Sequence, residues 1–211
     1  MTMLEDARLK EARGGEGTIA QMEQSGALLS GHFALSSGLH SDGYIQCALL
    51  LESPATAESV GRALAGLVDE AIGCGMAGAV VSPALGGIII GHEVARALGA
   101  RSLFAERSAG ALALRRGFRL KPYERVLVVE DVVTTGLSTK EVIEVVKAEG
   151  ADPIAVASVV NRSPGDGVDF GIPFVYLVRA VISNYDPAEC PLCKKGVPLV
   201  KPGSRESGKK T

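Results

Sequence analysis

Residues 125–140 read RVLVVEDVVTTGLSTK, and the fold class follows from them. Val126, Leu127, Val128 and Val129 are four apolar residues in a row, three of them β-branched. That is the pattern of a strand buried on both faces of a parallel sheet. Glu130 and Asp131 stand where this strand is expected to end. Thr134, Thr135, Gly136, Leu137 and Ser138 then form a small, hydroxylated, flexible turn. Beyond it Val142, Val145 and Val146 recur at helical spacing, which predicts a helix over 137–149.

Such a turn at a helix N-terminus aims several backbone N–H groups at one point, at the positive end of the helix, and suits phosphate. Thr134, Thr135 and Ser138 add hydroxyl donors, and Gly136 lets the backbone approach a ligand closely. Phosphate alone does not call for two adjacent carboxylates. A sugar with vicinal hydroxyls and a hard divalent cation does, so the stretch reads as a site for a phosphorylated ribose.

The totals set bounds on the rest. With 211 residues the chain suits one domain with ample core. Aromatic residues make up only 4% and Trp is absent, so the core must be filled by Val, Leu, Ile and Ala, as parallel sheets prefer. A formal charge of −2 gives no sign of a nucleic-acid partner. No apolar run reaches the roughly 18 residues of a membrane span, and MTMLEDARLKEARGG at the start lacks a signal peptide's apolar centre. A cytoplasmic protein is expected, with Cys47, Cys74, Cys190 and Cys193 reduced.

Working outward, residues 1–13 read as a polar helix broken by Gly14, Gly15 and Gly17, and a second helix is expected over about 18–25. GHFALSSGLHSDGYIQ (31–46) reads as two short strands, near 32–36 and 44–47, joined by a polar turn. Pro54 opens a helix to about residue 72, with Ala57, Val60, Leu64 and Leu67 on one face. A second buried strand covers 76–82. Ser82, Pro83, Ala84, Leu85, Gly86 and Gly87 then open a helix with Ile90, Val94, Ala97 and Leu98 in phase, a second anion site. A third strand (101–105) leads into ERSAGALALRRG (106–117), read as a mobile hairpin. A strand over 153–160 ends in Asn161, Arg162 and Ser163. Ligands of open α/β sheets sit at that edge, and arginine's planar fork suits a carboxylate or an imide oxygen. A loop (165–171) and a last strand (174–178) follow, and there are no internal repeats. Strands alternating with helices predict an α/β fold, a parallel sheet with helices on both faces.

The tail carries CPLCKKG (190–196). One CxxC supplies two metal ligands where structural zinc wants four. A zinc shared between subunits and a redox pair both remain open, beside the preferred small turn packed on the rest of the fold. His32, His40 and His92 are assigned no role. Residues 201–211 are polar and read as a disordered tail.

The central stretch resembles the phosphoribosyl pyrophosphate (PRPP) motif of type I phosphoribosyltransferases: a hydrophobic run, two acids, an apolar pair, Thr-x-Gly, then Ser/Thr. Phe33-x-Leu35-x-Ser37-Gly38 with Ser41-x-x-Tyr44 resembles the start of orotate phosphoribosyltransferases. Cys190-Pro191-x-Cys193, Gly196-x-Pro198 and Lys201-Pro202-Gly203-Ser204 resemble the tail of a subgroup of them. The resemblance spans about residues 31–204. It implies one domain over 1–211, with a core of about 54–179 and a small hood from about 17–50 and 180–200.

The resemblance also implies orotate and PRPP as substrates in UMP biosynthesis, Mg²⁺ held through PRPP and water rather than by direct protein ligands, and a homodimer. Of the site residues, Thr134, Thr135, Gly136, Leu137 and Ser138, with Val132 and Val133, would take the 5′-phosphate side of PRPP. Glu130 and Asp131 would hold the ribose hydroxyls. Ala84, Leu85, Gly86, Gly87 and Arg107 would hold pyrophosphate, and Thr134, Arg162, Tyr44 and Ile45 would hold orotate. Glu130, Asp131 and Arg107 are the expected catalytic set.

The chain departs from the family pattern in three places. Many members have lysine where Ser36 stands, and some have lysine at the position of Gly86. The family's Lys-x-x-Lys-x-His lid is missing, leaving Arg107, Arg115 and Arg116 as the cations of that segment. A phosphoribosyltransferase for another base and a non-catalytic PRPP-binding regulator are the alternatives.

Overall fold

The structure, a computed structural model, describes residues 9–35, 37–165 and 167–202. In chain order its elements are β1 (Leu9–Glu11), α1 (Thr18–Gln24), β2 (Leu28–Ala34), β3 (His40–Ile45), α2 (Cys47–Leu50), α3 (Pro54–Ile72), β4 (Ala79–Pro83), α4 (Gly87–Leu98), β5 (Arg101–Ser108), β6 (Ala111–Leu114), β7 (Arg125–Val133), α5 (Leu137–Ala148), β8 (Asp152–Asn161), β9 (Phe174–Ala180), β10 (Asn184–Tyr185), α6 (Pro191–Lys194) and β11 (Leu199–Val200).

The main sheet has seven strands in the order β1-β9-β8-β7-β4-β5-β6, with β7 in the middle. The five from β9 to β5 run parallel, and the edge strands β1 and β6 pair antiparallel. Strand periodicity divides the core in two. Leu127 and Val129 of β7 and Val80 of β4 pack with Val60, Leu64, Ile90 and Val94 of α3 and α4. Val126 and Val128, with Ala79 and Val81, pack with Val142, Ile143 and Val146 of α5. An uninterrupted apolar run is what a strand covered on both faces requires. A second sheet, β10-β3-β2-β11, draws on both ends of the described chain and forms the hood.

Three expectations are corrected. Residues 9–11 are not helical: Leu9, Lys10 and Glu11 pair with Ala180, Arg179 and Val178 and close the edge of the sheet. Residues 12 and 13 are not helical either, and residues 1–8 of the expected first helix lie outside the described residues, as does Ser36. The central strand does not stop at the acid pair. It continues to Val133, because Glu130, Val132 and Val133 keep register with Ser158, Val160 and Asn161 of β8. Finally, Lys201 and Pro202 of the expected disordered tail are described and line a cavity; residues 203–211 lie outside the described set.

Among the described residues no helix is long and apolar enough to cross a membrane. Helices α3 and α4 approach closely at Gly61, where a Cβ would lie 2.5 Å from Glu93 Cβ. Gly61→Ala is therefore expected to destabilise the protein by about 1–3 kcal/mol through overpacking, read as a lowered urea midpoint at unchanged slope.

Candidate active site

The turn after β7 has the shape its composition suggested. Gly136 adopts φ 73° as the N-cap of α5 and contributes no side-chain cap. First-turn N–H groups of a helix have no partner inside the helix; that of Leu137 donates to Thr135 Oγ1 at 3.4 Å. A side chain at Gly136 is excluded twice: by the positive φ, and because a Cβ would lie 2.8 Å from Val168 Cγ1 and 3.0 Å from Phe170.

The two acids sit on opposite faces of β7. Glu130 points to the α5 side, where it accepts a hydrogen bond from the buried Thr139 hydroxyl. Burial pushes its carboxyl up to about 7; the Thr139 bond opposes this, and the Asp131 charge adds to it. Asp131 points to the α4 side, against the Gly86 turn, where a Cβ would fall 2.6 Å from Asp131 Oδ2. Burial raises its pKa too, partly offset by the backbone N–H groups of Val132 and of Asp131 itself. The Ala84–Leu85 peptide in the turn is cis. The two turns expected to bind anions thus approach the acid pair, and a Cβ at position 86 would require the Asp131 carboxylate to shift.

A cavity of ≈ 700 Å³ lies between the main sheet and the hood. Thr134 and Thr135 line one side, Tyr44 and Leu39 of the hood another, and Arg162 stands between them. The Arg162 N–H donates to Val133 O at 2.8 Å, fixing the residue to the end of β7. Its Nη2 donates to Asn184 Oδ1 at 2.8 Å, with Ser41 Oγ at 3.5 Å; among the described residues only this nitrogen of the fork is engaged. Burial lowers the Arg162 pKa, while Asp42 and Tyr44 raise it.

Other expected residues are placed elsewhere. Arg107 donates to Glu141 Oε2 of α5 and to Gly110 O, both at 2.7 Å, so its guanidinium is held within its own hairpin and the neighbouring helix. Arg115 and Arg116 both face Glu106, at 3.9 Å and 3.0 Å. None of the three lines the cavity, nor do Glu130, Asp131, Ile45 or the 84–87 turn. Arg179, Asn184 and Lys201 do line it and were not foreseen. Arg179 is braced by Asn161 and Gly165. Its only sequence signal was a cation near the C-terminal end of the last expected strand, and Asn184 had none.

A parallel sheet with a phosphate-type turn after its central strand, an acid pair in that strand and a hood over the strand ends defines the type I phosphoribosyltransferase class. Comparison with known proteins narrows this. A scan against protein-family models finds no match. The orotate phosphoribosyltransferase of Thermotoga maritima is 54% identical over 184 residues, 87% of this chain and 96% of that protein. The enzyme of the same name from Carboxydothermus hydrogenoformans is 54% identical over 181 residues, covering 85% and 93%. Among solved structures, the orotate phosphoribosyltransferase of Aeropyrum pernix aligns with TM-score 0.57 and 27% identity, over 74% of this chain and 91% of that one. The Mycobacterium tuberculosis enzyme, crystallised with inorganic phosphate, shares the fold at TM-score 0.59 and 22% identity, over 78% and 95%. The chain belongs to the orotate phosphoribosyltransferase family.

Glu130 gives a pH test. Its pKa in the fold, about 7, lies above its ordinary 4.5, so the folded state holds the proton more tightly than the unfolded one. Stability from this group is then present below about 4.5 and lost as the pH rises towards about 7. The Tm of the ligand-free protein should fall across that window, and Glu130→Gln should flatten the fall, as differential scanning fluorimetry at several pH values would show.

Proposed function

We propose that the chain transfers the 5-phosphoribosyl group from PRPP to orotate, giving orotidine 5′-monophosphate and pyrophosphate, the reaction named for its relatives. The observation that carries this is Arg162: a half-engaged guanidinium in the wall of one cavity shared with the Thr134–Thr135 turn. A fork suits orotate's carboxylate or imide oxygens, and the turn suits a phosphate a ribose-length away.

Cleavage of the C1–O bond puts positive charge on the ribose ring and negative charge on pyrophosphate. The protein's task is to hold both and to align the base, with little proton transfer. The α5 N-terminus with Thr134, Thr135 and Ser138 holds the 5′-phosphate. Glu130 and Asp131 accept from the ribose hydroxyls and place negative charge near the developing cation. The raised pKa of Glu130 leaves it able to accept fully once a nearby cation favours its ionised form. The 84–87 turn takes pyrophosphate on its backbone. Arg107 reaches the same group only after leaving Glu141, so it belongs to a closed state of the β5–β6 hairpin.

Mg²⁺ is the cofactor we assign. Two hard carboxylates beside the pyrophosphate turn fit it, through water and the substrate's oxygens. When bound, it neutralises charge on the leaving group. A homodimer and a cytoplasmic setting complete the proposal. An apolar groove lined by Ile88, Ile89, Phe104 and Phe118 offers a contact face, and the four free cysteines suit a reducing compartment.

Release of pyrophosphate from PRPP and Mg²⁺ should require orotate and fail with adenine, guanine, xanthine or uracil. PRPP binding without turnover would instead mark a regulator. Arg162→Ala should raise KM for orotate by about 10- to 100-fold, the loss of a charged hydrogen bond, and leave KM for PRPP near its original value. Arg162→Lys should not restore it, because the fork and not the charge alone makes the contact.

A further inference from the structure

Two histidines and two cysteines from three segments of the hood converge on one point. His32 lies on β2, His40 on β3, Cys190 is the N-cap of α6 and Cys193 lies within it. One ligand atom from each falls within 4.8 Å of all the others. His32 Nε2 is 2.9 Å from His40 Nδ1, 3.4 Å from Cys190 Sγ and 3.7 Å from Cys193 Sγ, and Cys193 Sγ is 3.3 Å from His40 Nδ1. Nitrogen and sulfur atoms bound tetrahedrally to zinc, at about 2.0–2.3 Å, stand roughly 3.3–3.8 Å from one another. These three sulfur–nitrogen edges already have about that length. The His–His edge is shorter, and small side-chain rotations open it.

The geometry points to a structural zinc site, Cys190-Cys193-His32-His40, closed within one chain. Three further observations favour it. First, His32 Nδ1 lies 2.8 Å from Val197 O. A proton there is donated to the carbonyl and leaves Nε2 with its lone pair towards the cluster, the outer-shell arrangement that orients a metal-bound imidazole. Second, His32, His40 and Cys190 are 2%, 8% and 1% exposed. Three of the four ligand residues are thus dry, and their ligand atoms meet one another rather than water. Zn²⁺ with two thiolates and two neutral imidazoles sums to zero charge, the two thiol protons leaving to solvent on binding. Third, Cys193 is exposed and provides the way in. The donor set is too soft for Mg²⁺ and matches zinc in kind and number.

The CxxC alone offered half a site. The other half is a His-x7-His pair that the β2–β3 hairpin folds into contact, a spacing that becomes meaningful only once those strands pair. An ion here ties the C-terminal segment to the hairpin. β11 pairs with β2 by only two residues, and β10 with β3 by only two, so the ladder alone holds this segment weakly. Lys201 and Pro202, just beyond β11, line the orotate-side cavity. The ion is thus structural, remote from the chemistry, and braces one cavity wall.

The test is metal content of the full chain, purified without an affinity tag or chelator. Elemental analysis should find one zinc per chain, and zinc-edge X-ray absorption should find two sulfur neighbours at about 2.3 Å and two nitrogens at about 2.0–2.1 Å. Cys193→Ser and His40→Ala should each lose the zinc, while Cys74→Ser keeps it. Removing the ion should speed amide hydrogen exchange in residues 190–200 and leave β7 unaffected. The wild-type measurement does not depend on the variants folding. The proposal is overturned if wild-type protein takes up no stoichiometric zinc when offered it, if iron or a Cys190–Cys193 disulfide is found instead, or if Cys190→Ser/Cys193→Ser retains the metal.

Discussion

The double-sided burial of β7 is the constraint on which the rest of the molecule depends. Because the strand is covered above and below, each residue belongs to one of two layers: Leu127 and Val129 to the α3–α4 layer, Val126 and Val128 to the α5 layer. The alternation continues into the polar end of the strand. It sends Glu130 to Thr139 on α5 and Asp131 to the Gly86 turn before α4. Neighbours in sequence thereby face two different helix starts, and the sheet's period of two brings both turns to one strand. The same burial raises the pKa of both acids, so the ligand-free site carries less negative charge than its composition suggests.

Much of this was legible in the sequence. The apolar run 126–129, the helical spacing of Val142 and Val146 and the Pro54 helix start each encode a local rule, and each appears where expected. The end of β7 was misplaced because two adjacent acids look like solvent, whereas ladder pairing to Ser158, Val160 and Asn161 is a property of the neighbouring strand. Residues 9–11 were read as helix from their polarity. An edge strand three residues long carries no periodic signal, and its partner lies about 170 positions away in the sequence.

The candidate site residues divide along the same line. Thr134, Thr135 and Arg162 sit directly after strands, and their position followed from local order. Arg179, Asn184 and Lys201 reach the cavity only because the second sheet folds the C-terminal segment back over the strand ends. Arg107 has an expected role from its place just after the expected strand 101–105, but it lies within β5 and its guanidinium is held by Glu141, a partner that only the packing of the β5–β6 hairpin against α5 supplies. The hood behaves likewise: two histidines without evident purpose and an incomplete CxxC become four converging ligands when β2, β3 and α6 meet. What escaped the sequence is in each case a contact between segments far apart in the chain.

The close fit of Gly86 against Asp131 bears on how such proteins diverge. Some orotate phosphoribosyltransferases have lysine at this position, yet here any side chain would strike the carboxylate. A longer residue at 86 requires the Asp131 carboxylate to move, so the two positions are coupled and a change at one is felt at the other. Asp131 thus owes its room to a neighbour that has no side chain.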